Sequence, residues 1–472
     1  MTPALMPLAA EAPQINEAAT AFMLVASSMV LLMTPALAFF YGGMTRSKSV
    51  LNMMMMSFGA LAAVGIVYVL WGYSMSFGNL QDASSDIGGI FANPFHLFGL
   101  GALTDASGAA RLIDPFGVGV WIPEYVYVGF QLTFAVITVA LISGAIADRV
   151  KFGTWMVFSV VWVTIVYFPL AHMVWGGGFL SSAANGLSAK LFGVTDGIAS
   201  VIPIDFAGGT VVHINAGAAG LALAILAGKR LGFGKVAMRP HNLPLVMIGA
   251  GLLWFGWFGF NAGSELAADG VASKVWLNTT VATCAAAAGW LIVEKLRDGH
   301  ATSLGAASGV VAGLVAITPA CGALTPVTSI ILGVVAGGLS AVAVGLKYKL
   351  GYDDSLDVVG VHLVAGLWGT IGAGLLATGT GLFLGGGWQQ TALQVIIALI
   401  SVVWSLVLTF AIGWALKVTL GWRVSEDAES EGIDQVVHAE TGYELGGFPA
   451  STGRSAAARP VATASQVEGA NA

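Results

Sequence analysis

Long apolar runs separated by short polar connectors set the rhythm of the chain. Eleven of them approach or exceed the ~20 residues that an α-helix needs to cross a bilayer. They fall at about 20–41, 51–76, 123–146, 153–174, 206–227, 243–262, 275–293, 304–322, 327–346, 356–377 and 391–416. A membrane β-barrel would instead show ~10-residue segments alternating apolar and polar, and no such segments occur. The pattern predicts an all-α polytopic membrane protein with eleven transmembrane helices.

Composition agrees with the pattern. The 472 residues are 57% apolar and only 9% charged, with 64 glycines. Soluble domains carry roughly a quarter charged residues, whereas small residues suit membrane helices that pack closely. The two cysteines, Cys284 and Cys321, fall in apolar spans and read as small buried hydrophobes. Residues 1–19 hold no Lys or Arg and so lack the basic start of a secretory signal.

The placement of charge orients the chain. With the N-terminus outside, sixteen of the nineteen Lys and Arg fall on the inner side, among them Arg46, Lys48, Arg149, Lys151, Lys229 and Arg230. The outer loops keep only Arg111, Lys190 and Lys274. By the positive-inside rule the chain is N-out and C-in, with an odd number of spans. The outer loop at 78–122 is rich in Gly, Asp and Pro and reads equally as a cover for an external vestibule or as a plain connector. Residues 423–445 are charged and suited to folding on the inner face, and the Ala/Ser/Thr-rich end after about 448 reads as disordered. The domain reading is a short N-terminus (1–19), a first half (20–228), a second half (229–377), an outer loop with the last helix (378–420) and an inner tail (421–472).

Two histidines stand inside apolar spans. Val212-His213-Ile214-Asn215-Ala216-Gly217 and Val361-His362-Leu363-Val364-Ala365-Gly366 share the pattern V-H-x-x-A-G, in the fifth and tenth spans. An ionisable residue at mid-membrane is costly unless it faces a cavity or a partner. Two copies of a five-span unit must enter the membrane from opposite sides. This predicts an inverted 5+5 repeat plus one C-terminal helix, with a shared site between the halves. Facing imidazoles in an apolar lumen suit a metal, a proton relay or a path for a small polar solute. A zinc site usually takes four ligands, and only Asp205 and Asp357 supply carboxylates here, so no metal or other cofactor is expected. No chain of acidic residues continues across the membrane, which disfavours a proton channel. Asp205, just before Phe206, reads first as a helix N-cap. Asp353, Asp354 and Asp357 read as caps at the start of the tenth span, and His172 as structural.

The aromatic residues Phe130, Phe134, Trp175 and Phe260 lie toward the outer ends of their spans. Singly, each fits an interfacial belt; together they can hold a compact cation by cation–π attraction.

Longer motifs carry a resemblance. The run Asp205-Phe-Ala-Gly-Gly-Thr-Val-Val-His through Gly228-Lys229-Arg230 resembles the signature of the ammonium transporter family (Amt/Mep, related to Rh proteins), of the bacterial Amt type. Phe39 through Met44, Ala171 through Gly178, Arg239 through Pro244, Gly256 through Ser264, Thr318 through Gly322 and Asp353 through His362 agree with it. The resemblance covers roughly residues 20–445. It implies that His213 and His362 are paired pore histidines, hydrogen-bonded to one another. It implies an external ammonium recruitment site at Phe134, Trp175 and Ser264, a stacked phenyl gate of Phe134 and Phe260, and an Asp205 that orders the vestibule. It further implies a homotrimer with one pore per subunit in the cell inner membrane. The tail, with Arg423, Asp434 and Tyr443, resembles the segment on which a PII-type signal protein docks in bacterial relatives.

The expected function is ammonium or ammonia transport: recruitment outside, deprotonation, and passage between the histidines. The alternatives are an ammonium sensor with secondary conduction and a Rh-like neutral gas channel. A membrane enzyme is disfavoured, because no acid–base–nucleophile set accompanies the histidines. The expected partners are ammonium or ammonia, membrane lipid, further copies of the chain and a PII-type protein, with no nucleic acid.

Overall fold

The computed structural model describes residues 13–80 and 82–443. The first twelve residues of the expected short N-terminus, and the end expected to be disordered, lie outside the described residues. The described residues up to Gly442 form one compact unit, and Tyr443 belongs to a second that runs Tyr443–Ala472.

The first unit is built from helices α1 (Glu17–Met44), α2 (Val50–Leu80), α3 (Glu124–Ile146), α4 (Phe152–Val174), α5 (Gly209–Ala227), α6 (Leu243–Gly263), α7 (Gly270–Asp298), α8 (Ser303–Ile317), α9 (Pro326–Leu350), α10 (Val359–Leu376) and α11 (Gln389–Thr419). Short polar caps set many of the starts. The side chains of Asn16, Asn242, Asp269 and Thr302 accept backbone N–H groups of α1, α6, α7 and α8, and Thr325 forms a capping box on α9. Each such cap satisfies donors that an apolar surrounding leaves without water.

Two boundaries depart from the sequence expectation. Among the described residues, ten helices are long and apolar enough to cross a membrane, whereas α8 has 15 residues and gives way to turns at 318–323. At 1.5 Å per residue it spans about 22 Å, short of a ~30 Å hydrocarbon core. Helix α5 starts at Gly209 rather than Phe206. Between them the chain bends at Phe206 and Ala207, and Gly208 takes a left-handed turn (φ 109°). Cys284 is exposed on the surface of the single chain, contrary to its expected burial, while Cys321 is buried.

Helix α1 packs along α6, α7 along α8 and α9, and α5 along α11. Where the connectors after α3 and α5 meet the segment before α10, Arg230 bonds Asp353 (2.8 Å) and reaches Asp148 (3.3 Å), while Arg149 donates to the carbonyls of Asp353 (2.6 Å) and Ala145 (3.1 Å). The expected capping by all three aspartates before α10 holds for Asp354 alone, which accepts from the N–H groups of Val358 and Val359. Asp353 is drawn to Arg230, and Asp357 to Lys347 at 2.6 Å, because each has a cation in reach.

The 78–122 loop folds into two short antiparallel hairpins, Asp86–Ile87 with Phe91–Ala92 and Leu112–Ile113 with Ile122–Pro123. Two polar anchors tie it to the helices. His172 in α4 meets Asp86 at 2.8 Å, and Arg111 makes two bonds to the buried Glu124 at 2.6 and 2.8 Å.

Candidate functional site: an aromatic vestibule above a histidine pair

A cavity of about 560 Å³ opens between the outer ends of α3, α4 and α6 and the segment before α5. Its wall includes Tyr127, Gln131, Phe134, Trp175, Asp205, Phe206 and Ser264, with Pro115 and Phe116 contributed by the long outer loop. That loop therefore forms part of the vestibule wall.

At the floor, Phe134 stacks on Phe260 with ring centres 4.0 Å apart and planes 16° from parallel. Trp175 meets Phe134 edge-on at 6.0 Å and 84°. Its indole N–H donates to the Asp205 carbonyl (2.9 Å), which fixes the ring. The Ser264 hydroxyl donates to the Phe260 carbonyl (2.8 Å), leaving lone pairs on Oγ as acceptors.

Asp205 caps, but not at the next residue. Its carboxylate accepts the N–H groups of Gly208 and Thr210 (both 3.0 Å), Gly209 and Val211, together with the Thr210 hydroxyl. A carboxylate offers about four lone-pair sites, so these five donors saturate it. They also hold the chain unwound as far as Gly208.

Below the stacked rings, His213 and His362 meet through their Nδ1 atoms at 3.3 Å, with rings 5.4 Å apart and 19° from parallel. A bond between two like nitrogens needs one donor and one acceptor, so the pair shares a single Nδ1 proton. Each histidine lies in a π-helical turn at the start of its helix, Gly209–Ile214 and Val359–Leu363. Such turns are rare and recur at functional sites. Each also lies eight positions after a capping carboxylate, Asp205 and Asp354.

The glycines of the two V-H-x-x-A-G segments set the crossing. A Cβ on Gly217 would lie 2.5 Å from the Leu363 backbone nitrogen, and one on Gly366 would lie 3.2 Å from the His213 Cβ. Hydrogen at Gly217 is what lets the backbones approach closely enough for the imidazoles to bond, whereas a Cβ at Gly366 would need only a small shift. The cavity beside the histidines holds about 10 Å³ and is lined by apolar groups such as Leu37, Ile137, Leu141 and Val212. A water needs roughly 10–15 Å³ by this measure.

The sequence reading missed several neighbours. Trp257, one turn before Phe260, stacks on His213 at 5.4 Å and 18°, its indole held by Thr318 Oγ1 at 2.8 Å. Gln131, one turn before Phe134, lines the vestibule. Glu265 follows Ser264 and is half-buried; burial, then the nearby Asp269, raise its carboxyl to about 7 against the opposing pull of Lys274. Helical spacing from the residues already singled out would have found the first two.

The tail residues gather apart from the histidine pair. Arg423 donates to the Lys229 carbonyl (2.6 Å) and pairs with Glu429, and Asp434 accepts from the N–H groups of Leu51 (3.0 Å) and Asn52 (2.7 Å) at the start of α2. A short helix, Glu426–Glu431, separates them. Tyr443 lies in the second unit.

Helices fit for a bilayer, a cation-fitted vestibule and a closed apolar lumen beneath it define a helical membrane transport protein. The model of the Ammonium Transporter Family matches residues 21–443. The chain belongs to that family. It is 51% identical over 447 residues to an ammonium transporter of Mycobacterium tuberculosis, covering 90% of each chain. It is also similar to the crystal structure of Saccharomyces cerevisiae Mep2 (TM-score 0.74, 30% identity, 88% of this chain and 91% of that one). A structure titled "Sensor Amt Protein" is similar at a TM-score of 0.76 and 28% identity, over 90% of this chain and 98% of that one.

Proposed function

We propose that this ammonium transporter captures the cation in the vestibule, strips one proton from it to vestibule water or, at the pair, to an imidazole nitrogen, and passes ammonia between the histidines. The observation that carries the reading is the stacked Phe134–Phe260 pair at 4.0 Å, standing between a polar, aromatic vestibule and an apolar lumen. Ammonium is attracted to the faces of Trp175 and Phe134 and donates a hydrogen bond to Ser264 Oγ. A bare cation is penalised in the lumen below. Potassium meets the same penalty but has no proton to give up, and so is rejected. Ammonia passes the rings and meets imidazole nitrogens that accept and return hydrogen bonds. His213 Nε2 has no partner among the described residues, which suits that exchange. Asp205, saturated by backbone donors, acts by ordering the entrance.

The test is the current across a supported membrane carrying purified protein after pulses of ammonium and of potassium, with an internal pH dye alongside. Wild type responds to ammonium alone, with a current where the proton follows the ammonia inward and with internal alkalinisation and no current where it returns to the outer water. The double variant His213→Ala, His362→Ala loses most of the transport or admits potassium. Full transport with full rejection of potassium in that variant would sink the histidine role.

The likeness to the structure titled as a sensor favours one second reading, in which conduction is secondary to signalling. Nitrogen flux well below that of a transporting relative in matched vesicles would support it. Uptake of ammonia alone, with no cation effect on the vestibule variants, would support a neutral gas channel. Neither reading requires catalysis.

The same reading covers the assembly. The protein works as a homotrimer with one pore per subunit, lies N-out and C-in in the inner membrane, and is built of two inverted five-helix halves plus α11. The repeated aspartate-to-histidine spacing supports that symmetry. The docking surface for a PII-type protein is the tail around Arg423 and Asp434.

A further inference from the structure

Tyr127, Gln131 and Phe134 are spaced four and three residues apart on α3, which puts them on one face, and all three line the vestibule. The Gln131 side chain is 8% exposed. Its Nε2 donates to the Tyr127 hydroxyl at 3.4 Å, while its Oε1 is buried with no hydrogen-bond partner among the described residues. A buried acceptor without a donor is costly, and most native structures avoid one. Here it sits one helical turn above the floor of a cavity suited to a cation that carries four N–H donors and no acceptor. In the capture reading, Ser264 Oγ answers one of those donors, and the rings of Phe134 and Trp175 answer the charge without taking a hydrogen bond end-on. The terminal amide torsion of glutamine is broad and soft, so the oxygen can turn toward an arriving N–H while Nε2 stays near Tyr127.

We infer that Gln131 Oε1 is a further ligand for ammonium in the vestibule, accepting one of its N–H groups and setting the affinity of capture. This rests on the capture reading above. Gln131 acts before the phenyl pair, so it governs the concentration at which transport half-saturates rather than the rate at saturation.

Four proteins are compared in proteoliposomes by ammonium-driven current and internal pH: wild type, Gln131→Leu, Gln131→Glu and Trp175→Leu. The expected result for Gln131→Leu is a KM raised about 10-fold, as for a lost hydrogen bond to a charged group, with maximal flux within about twofold of wild type. Gln131→Glu keeps an acceptor and adds charge, so its KM falls to or below that of wild type. An unchanged KM in Gln131→Leu beside a raised KM in Trp175→Leu overturns this inference and leaves the capture site standing. Unchanged values in both variants overturn the capture site as well. A KM raised as far by Glu as by Leu assigns Gln131 a packing role and overturns the inference. If Gln131→Leu does not fold, Gln131→Met is judged by the same criteria.

Discussion

Glu265 and the histidine pair show how differently single residues act along one pore. The histidines share one Nδ1 proton and sit among apolar groups. Glu265 stands at the outer end of α6, half-buried, with Asp269 and Lys274 as the charges acting on it. A carboxyl raised to about 7 is neutral below that pH and negative above it. Lowering the outer pH from 8 to 6 therefore removes a negative charge beside Ser264. Ammonium affinity is expected to weaken about threefold over that interval, the scale of one screened charge. Flux titrations at each pH check this: Glu265→Gln should flatten the profile, and an unchanged slope would clear Glu265 of the effect. His213, His362, Phe134, Phe260 and Trp175 drew notice in the sequence as polar or aromatic residues in apolar runs, whereas the grouping of Phe134, Trp175 and Ser264 into one site came from the family resemblance. Trp257, Gln131 and Glu265 were not singled out. Trp257 takes its place from His213 and Thr318, far along the chain, while the unpaired oxygen of Gln131 and the raised carboxyl of Glu265 come from burial that residue type alone does not show.

At the scale of elements, α5 and α10 form the working pair. Each begins with a carboxylate cap, enters a π turn that carries its histidine, and meets the other helix at a glycine. Gly217→Ala forces a Cβ to within 2.5 Å of the Leu363 nitrogen, and backbone has nowhere to yield. Gly366→Ala brings its Cβ to 3.2 Å of the His213 Cβ, a tight contact that a small shift relieves. Transport should fall at least tenfold in Gly217→Ala and no more than about threefold in Gly366→Ala, because separated helices break the 3.3 Å imidazole contact. Equal losses in the flux assay would count against this account of the crossing. The eleven runs and the six-residue motif were readable because hydropathy and repetition are local. The late start of α5 was not, since it depends on one carboxylate collecting donors up to six residues ahead. The shortness of α8 was hidden because its turns at 318–323 include Ala320 and Cys321, buried against other helices and as apolar as a span.

At the scale of the molecule, buried charges tie the connector after α3 to the segments that follow α5 and precede α10. Arg149 and Arg230 come from connectors that follow α3 and α5, and Asp353 precedes α10. Burial lowers Arg149 to about 10, so it stays charged at neutral pH. Removing one partner of a buried pair strands the other. Asp353→Asn is therefore expected to cost about 3–5 kcal/mol, read as a lower Tm in detergent. A Tm within a degree of wild type would show that Asp148 alone suffices for Arg230. The positive-inside pattern marked Arg149 and Arg230 as inner residues, but could not reveal that they are held inside the fold rather than in solvent.

The lumen of about 10 Å³ beneath the phenyl pair bears on the economy of the whole cell. A pore without room for a file of waters offers protons no conductive thread. A membrane can hold many copies of such a protein without a proton leak while no ammonium is present, so the number made can follow the need for nitrogen rather than the tolerance for leak.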